Sequence, residues 1–218
     1  MSQVFDTLAD ARIVPVVVLR DAAHAVPLGE ALVAGGLPLA EVTFRTPAAA
    51  EAIRLLTRHT ACVVGAGTVL TAAQVHTAVA AGATFVVSPG LDPAVVRECQ
   101  TLGVPVLPGV ATPSEIQRAL SLGLDAVKLF PADIVGGPAA VRAFAGPFGG
   151  LRLVPTGGVD LDNLAAYLAL PSVLAVGGTW MAPAALVEAQ EWGRIRELTV
   201  AAVAAADAAR PREVGTLR

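Results

Sequence analysis

The sequence predicts an α/β protein of a single domain, a (β/α)8 TIM barrel, and three observations carry that expectation. Short apolar, β-branched runs begin near Ile13, Leu39, Ala61, Thr84, Val104, Ala126, Leu151 and Val173, so successive starts lie 20 to 26 residues apart. Eight strands at one βα period fit this architecture. The segments between the runs are alanine-rich and spaced as helices. The runs themselves are continuous rather than alternating, as in Val14-Pro15-Val16-Val17-Val18, which is the pattern of parallel strands covered on both faces. The rival is a doubly wound open sheet. Its nearest fingerprint here, Gly65-Ala66-Gly67, lacks the third glycine and the acidic residue of a dinucleotide-binding turn.

Taken in order, residues 2–11 are expected to form a helix closing the bottom of the barrel, and 13–190 the barrel itself. After the first strand Asp21 is a candidate helix cap, as are Thr71 after the third, Thr112 after the fifth and Asp160 after the seventh. Gly82, Gly103 and Gly123 stand near the far ends of the intervening helices, where left-handed backbone ends a helix. Residues 191–209 read as a final helix and 210–218 as a charged, proline-containing tail; neither end is expected to carry function.

Composition narrows the partners. A net charge of -3 and no run of like charges argue against nucleic acid. No apolar run reaches the roughly eighteen residues of a membrane span, and the first one follows acidic residues rather than a basic leader. The expectation is a soluble, cytoplasmic chain with no membrane partner. Hydrophobic content of 55% against 15% charge is high for a monomer and suggests a homo-oligomer. Cys62 and Cys99 have no close-spaced metal-ligand partner and are expected to be reduced thiols in or near the core. His24, His59 and His76 lie away from strand ends and are not spaced as metal ligands, so neither a metal nor a cofactor is expected.

One residue stands apart. Fourteen of the fifteen basic residues are arginine, and the single lysine, Lys128, ends an apolar strand in Asp-Ala-Val-Lys-Leu-Phe-Pro. An arginine cannot form an imine with a carbonyl substrate, whereas a desolvated lysine can. A strand-end lysine can also snorkel outward or pair with a carboxylate and do nothing chemical.

In a barrel the active site lies at the carboxyl ends of the strands. There the period of two points Glu41 and Arg45 to one face of the second strand, and Lys128 and Phe130 to one face of the sixth. Alternate strands build one interior layer, so Glu41 and Lys128 can meet, either as a structural ion pair or as acid and amine side by side. Thr68 and the run Ser88-Pro89-Gly90 bring hydroxyls and close backbone approach to the same mouth. Thr156-Gly157-Gly158 after the seventh strand and Gly177-Gly178-Thr179 after the eighth stand where barrels of this kind bind phosphate through bare N–H groups, although paired glycines are also ordinary turn residues. Trp180, Met181 and Trp192 read as packing residues.

The ordered motifs Glu-Val-Thr-Phe-Arg-Thr, Gly-Ala-Gly-Thr-Val-Leu, Ser-Pro-Gly, Val-Lys-Leu-Phe-Pro-Ala, Pro-Thr-Gly-Gly and Gly-Gly-Thr-Trp span about 13–180. Together they resemble the class I 2-keto-3-deoxy-6-phosphogluconate (KDPG) and 4-hydroxy-2-oxoglutarate (KHG) aldolases. The resemblance implies a lyase of the Entner–Doudoroff route that yields pyruvate and glyceraldehyde 3-phosphate, and a homotrimer. It implies Lys128 as the Schiff-base lysine and Glu41 as general acid and base. Arg45 and Thr68 would hold the pyruvyl carboxylate, and Pro89 and Phe130 would wall its pocket. Thr156, Gly157, Gly158, Gly178 and Thr179 would receive the substrate hydroxyls and phosphate. Many members have serine where this chain has Thr179, whose methyl narrows that end. Two other classes stay open on the residues alone: a phosphosugar isomerase or epimerase, and a non-catalytic sugar-phosphate sensor.

Overall fold

The computed structural model describes residues 3–209, so Ser2 and the expected tail at 210–218 lie outside the described residues. The strands are β1 (Ile13–Val17), β2 (Leu39–Thr43), β3 (Val63–Gly67), β4 (Phe85–Val87), β5 (Val106–Leu107), β6 (Gly109–Val110), β7 (Ala126–Leu129), β8 (Arg152–Pro155) and β9 (Val176–Gly178). All paired strands run parallel, in a six-stranded order β5-β4-β3-β2-β1-β9 and a three-stranded order β6-β7-β8. Isolated parallel bridges Leu153↔Val173 and Thr156↔Gly177 join the β8 and β9 segments.

The fold is therefore α/β with parallel sheets, and it departs from the expected strand pattern at two places. The expected fifth strand is split into β5 and β6 at Pro108, which has no N–H to give to a ladder. Its carbonyl still accepts from the Lys128 N–H at 3.0 Å. The eighth strand begins at Val176, and Val173 contributes only the isolated bridge.

The helices are α1 (Gln3–Ala11), α2 (Ala25–Ala34), α3 (Ala49–His59), α4 (Ala72–Ala81), α5 (Pro93–Thr101), α6 (Pro113–Ser121), α7 (Gly137–Ala145), α8 (Leu164–Leu168), α9 (Ala184–Glu188) and α10 (Trp192–Ala208). Thr71 and Thr112 cap α4 and α6 with their hydroxyls, and Gly82 ends α4 at φ 101°. The other two expected caps act earlier in the chain. Asp21 caps a short 3-10 turn at Ala22–His24 ahead of α2, and the Asp160 carboxylate accepts from the N–H groups of Asp162 and Asn163 before α8 begins.

Alternation along each strand sorts its residues between two cores. Ala40, Val42, Val64, Ala66, Val86, Val127 and Leu129 belong to the larger cluster, between strands and helices. Val14, Leu39, Phe85, Val87, Ala126 and Val154 form the smaller one, with Phe5 and Leu8 of α1 packed into it. Phe5 also lies 5.2 Å from the Arg152 guanidinium at the start of β8, which sets α1 at the amino-terminal ends of the strands. Glu41 and Lys128 follow Leu39 and Ala126 by two residues, so the period of two turns both to the inner side.

Candidate active site

On that inner side the Lys128 Nζ lies 3.3 Å from Glu41 Oε1, with the side chains only 8% and 4% exposed. Desolvating both charges costs about as much as their attraction returns, so the pair is poorly explained as a device for stability. Lys128 Nζ also stands 5.2 Å from the centroid of the Phe130 ring, within cation–π range.

Room for the pair comes from neighbouring strands. In the parallel register of β2 and β3, Thr43 is opposite Gly67 and Glu41 opposite Gly65. A Cβ on Gly67 would fall 2.3 Å from Glu41 Oε1, and one on Gly65 would fall 2.2 Å from the Phe85 ring. Both glycines lie within β3, not in a strand-to-helix turn, and serve side-chain packing.

A cavity of about 140 Å³ opens above the pair. Lys128, Phe130 and Arg45 line one part of it; Thr156, Gly157, Gly158, Gly178 and Thr179 line the rest. Two residues that sequence reasoning missed, Val16 and Val159, complete the lining. Val16 was within reach, since it follows the inward Val14 by two residues on β1.

Three expected residues lie outside the lining. Glu41 sits behind Lys128, and Thr68 accepts a hydrogen bond from Arg45 Nε at 3.3 Å. Thr68 has φ 55°, a costly conformation for a β-branched residue, of the kind that clusters at functional sites. Pro89 lines a different cavity, with Ser88, Gly90 and Leu91.

The paired glycines have more than one purpose. Gly157 and Gly158 take φ 93° and 77°, open to glycine at little cost. A Cβ on Gly177 would meet Thr156 Oγ1 at 2.4 Å, and one on Gly178 would meet the Trp180 ring at 1.9 Å, so the second pair is required by packing as well. Among the described residues no group of three or more His, Cys, Asp and Glu could hold a metal ion.

A buried amine and carboxylate under a cavity with a glycine-rich wall, at the carboxyl ends of parallel strands, form the candidate active site of an α/β enzyme whose relatives are lyases. The chain belongs to the KDPG and KHG aldolase family, whose model matches residues 4–198. It is 50% identical over 200 residues to the 2-dehydro-3-deoxy-phosphogluconate aldolase of Treponema pallidum, covering 91% of this chain and 95% of that one. A solved KDPG aldolase from Legionella pneumophila, with pyruvate captured as a covalent carbinolamine, aligns with TM-score 0.88 and 39% identity over 92% of this chain and 98% of that chain. The Zymomonas mobilis ZM4 enzyme, solved with 3-phosphoglycerate, aligns with TM-score 0.89 and 41% identity, covering 94% and 96%.

Proposed function

We propose that this chain is a class I aldolase that reversibly splits 2-keto-3-deoxy-6-phosphogluconate into pyruvate and D-glyceraldehyde 3-phosphate, and also 4-hydroxy-2-oxoglutarate into pyruvate and glyoxylate. The observation that carries the reading is the single lysine of the chain, buried beside Glu41 and lining the cavity that holds Arg45, Thr156 and the paired glycines.

In this scheme the uncharged Lys128 amine adds to the C2 ketone, and the carbinolamine loses water to give an iminium. Glu41 takes the proton of the C4 hydroxyl as the C3–C4 bond breaks, and the bonding pair moves into the iminium to form an enamine. The aldehyde leaves, the enamine carbon regains a proton through Glu41, and water releases pyruvate from Lys128. The Arg45 guanidinium and the Thr68 hydroxyl tied to it suit the pyruvyl carboxylate, with Phe130 against the apolar side and Pro89 a more remote wall. Thr156, Gly157, Gly158, Gly178 and Thr179 receive the hydroxyls and phosphate. The carbinolamine in the Legionella relative and the phosphorylated acid in the Zymomonas one support this division.

The same reading takes the two sheets as one closed eight-stranded barrel. The chain crosses from β5 to β6 through Pro108, and the bridges from β8 to β9 support closure on the other side. It takes the chain as one domain and one subunit of a cytoplasmic homotrimer. Among the described residues no helix is long and apolar enough to cross a membrane, and Ile134, 82% exposed, together with Leu70, 53% exposed, supports an apolar subunit contact.

The test is reduction with borohydride in the presence of pyruvate, followed by mass analysis of the digested chain. A reduced pyruvyl adduct on the Lys128 peptide with loss of activity is the expected result. Full activity after that treatment, with no adduct, would sink the scheme.

A further inference from the structure

The loop that follows β8 is wired so that three successive carbonyl oxygens are held by the protein. Thr156 O accepts from the Ala132 N–H at 2.8 Å and Gly157 O from the Asp133 N–H at 3.0 Å. The third carbonyl, that of Gly158, accepts from a side chain, Asn163 Nδ2, at 2.7 Å. The Thr156↔Gly177 bridge turns the Gly157 N–H toward the Gly177 carbonyl of β9, whereas among the described residues the N–H of Gly158, which also lines the cavity, donates to no protein acceptor.

Asn163 occupies the N-cap position of α8, where an asparagine ordinarily caps the helix with its own oxygen. Here it makes no side-chain cap bond. Its Oδ1 accepts from the Asp160 N–H at 3.1 Å instead, while Nδ2 reaches back to Gly158. The two bonds clamp the loop from 158 to 160, and they need a donor and an acceptor on one short, planar group. Aspartate has the same shape but would turn an oxygen toward the Gly158 carbonyl.

We propose that Asn163 is a positioning residue that sets the anion selectivity of the site. By holding the Gly158 carbonyl away from the cavity, it leaves the Gly158 amide as a donor to the phosphate of the substrate. A carbonyl turned inward would repel a dianion at the place where the amide attracts it. Asn163 thus separates phosphorylated from unphosphorylated substrates without touching either. The inference rests on the reading that phosphate binds at this loop.

The experiment compares wild type, Asn163→Asp and Asn163→Ala in three assays: cleavage of the phosphorylated sugar acid, its inhibition by inorganic phosphate, and exchange of the pyruvate methyl protons in D2O. The last needs the amine and carboxylate but no phosphate. Losing one well-placed hydrogen bond is expected to raise KM for the phosphorylated substrate by about tenfold and to weaken phosphate inhibition alike, with Asn163→Asp the worse variant and pyruvate exchange unchanged. Equal phosphate inhibition of wild type and both variants would overturn the role of Asn163 while leaving phosphate at the loop. An equal loss in all three assays would reduce the residue to a structural one. Failure of phosphate to compete even in wild type would remove the phosphate reading itself, and this proposal with it.

Discussion

Gly67 and Glu41 are fitted to one another: the space a Cβ on Gly67 would occupy is taken by the Glu41 carboxylate, 2.3 Å away at Oε1 and 2.7 Å at Cγ. The glycine is at φ values open to any residue, since it is absent from the left-handed set. Its bareness serves the neighbouring strand's side chain.

Gly67→Ala should therefore push Glu41 off its 3.3 Å contact with Lys128 without straining its own backbone. Displacement of a proton-transfer group by about an ångström can cost roughly 100-fold. Exchange of pyruvate methyl protons, followed by NMR in D2O, should slow by about tenfold or more, with the Schiff base still trapped by borohydride. Unchanged exchange would mean that the Glu41 position does not limit proton transfer.

Lys128→Arg separates chemistry from charge. Guanidinium keeps the positive charge facing Glu41 but forms no imine, so cleavage should be abolished in a folded protein. Lys128→Ala should be equally inactive and less stable, by about 3–5 kcal/mol, because it leaves a buried carboxylate without its partner. Glu41→Gln should still trap pyruvate while turnover falls by roughly 100-fold or more. Turnover by Lys128→Arg near wild type would make the pair a structural ion bridge.

Much of this site was legible because period two and the βα repeat are strong signals. Knowing only that Leu39 and Ala126 face inward puts Glu41 and Lys128 on the same side, and one missing residue type at ordinary surface positions drew notice to Lys128. What stayed hidden depended on contacts between segments distant in the chain. Gly65, Gly67, Gly177 and Gly178 look alike in sequence, yet their required neighbours are a Phe85 ring, a Glu41 carboxylate, a Thr156 hydroxyl and a Trp180 ring. Pro108 divides a strand whose existence the apolar pattern implied, since a residue without an N–H is compatible with the pattern but not with the ladder. Asn163 was missed because the cap after the seventh strand was expected at Asp160, and only the structure shows the Asn163 side chain turned back to Gly158.

Thr112 and Glu115 form a reciprocal capping box at α6, with the Glu115 carboxylate accepting from the Ala111 and Thr112 N–H groups at 2.7 and 2.9 Å. The Ala111 amide bond is the first cause holding the Glu115 carboxyl below its usual range, with burial opposing it and the bonds from Thr112 adding to it. A lowered carboxyl favours the folded state above the unfolded value and loses that contribution as pH falls through the folded one. Thr112→Ala should lower stability by about 1 kcal/mol at neutral pH in urea unfolding. Glu115→Gln should flatten the acid limb of the stability profile relative to wild type. Identical acid limbs would show that the carboxylate contributes nothing there.

Cys62 and Cys99 are free and buried, Cys62 beside the Gly29 carbonyl one residue ahead of β3 and Cys99 within α5. Burial pushes both thiols up; for Cys99, with the Glu98 charge adding to it, the value reaches about 12, while a hydrogen bond with Thr60 opposes the shift at Cys62. Only the thiolate attacks a disulfide reagent, so the native protein at pH 8 should react far more slowly than a free thiol, and addition of denaturant should expose both cysteines of the chain at once. The sign of the linkage follows. Between the ordinary thiol value near 9 and about 12 the unfolded chain has released the Cys99 proton and the folded one has kept it, so stability falls as pH rises through that window. Cys99→Ala removes the titration at the expense of a small cavity, and its alkaline limb should be shallower than that of wild type even though its stability at pH 7 is lower. Rapid native labelling of Cys99 at pH 8 would show that α5 opens locally far more often than its packing implies, and that opening, not thiol ionisation, governs its chemistry.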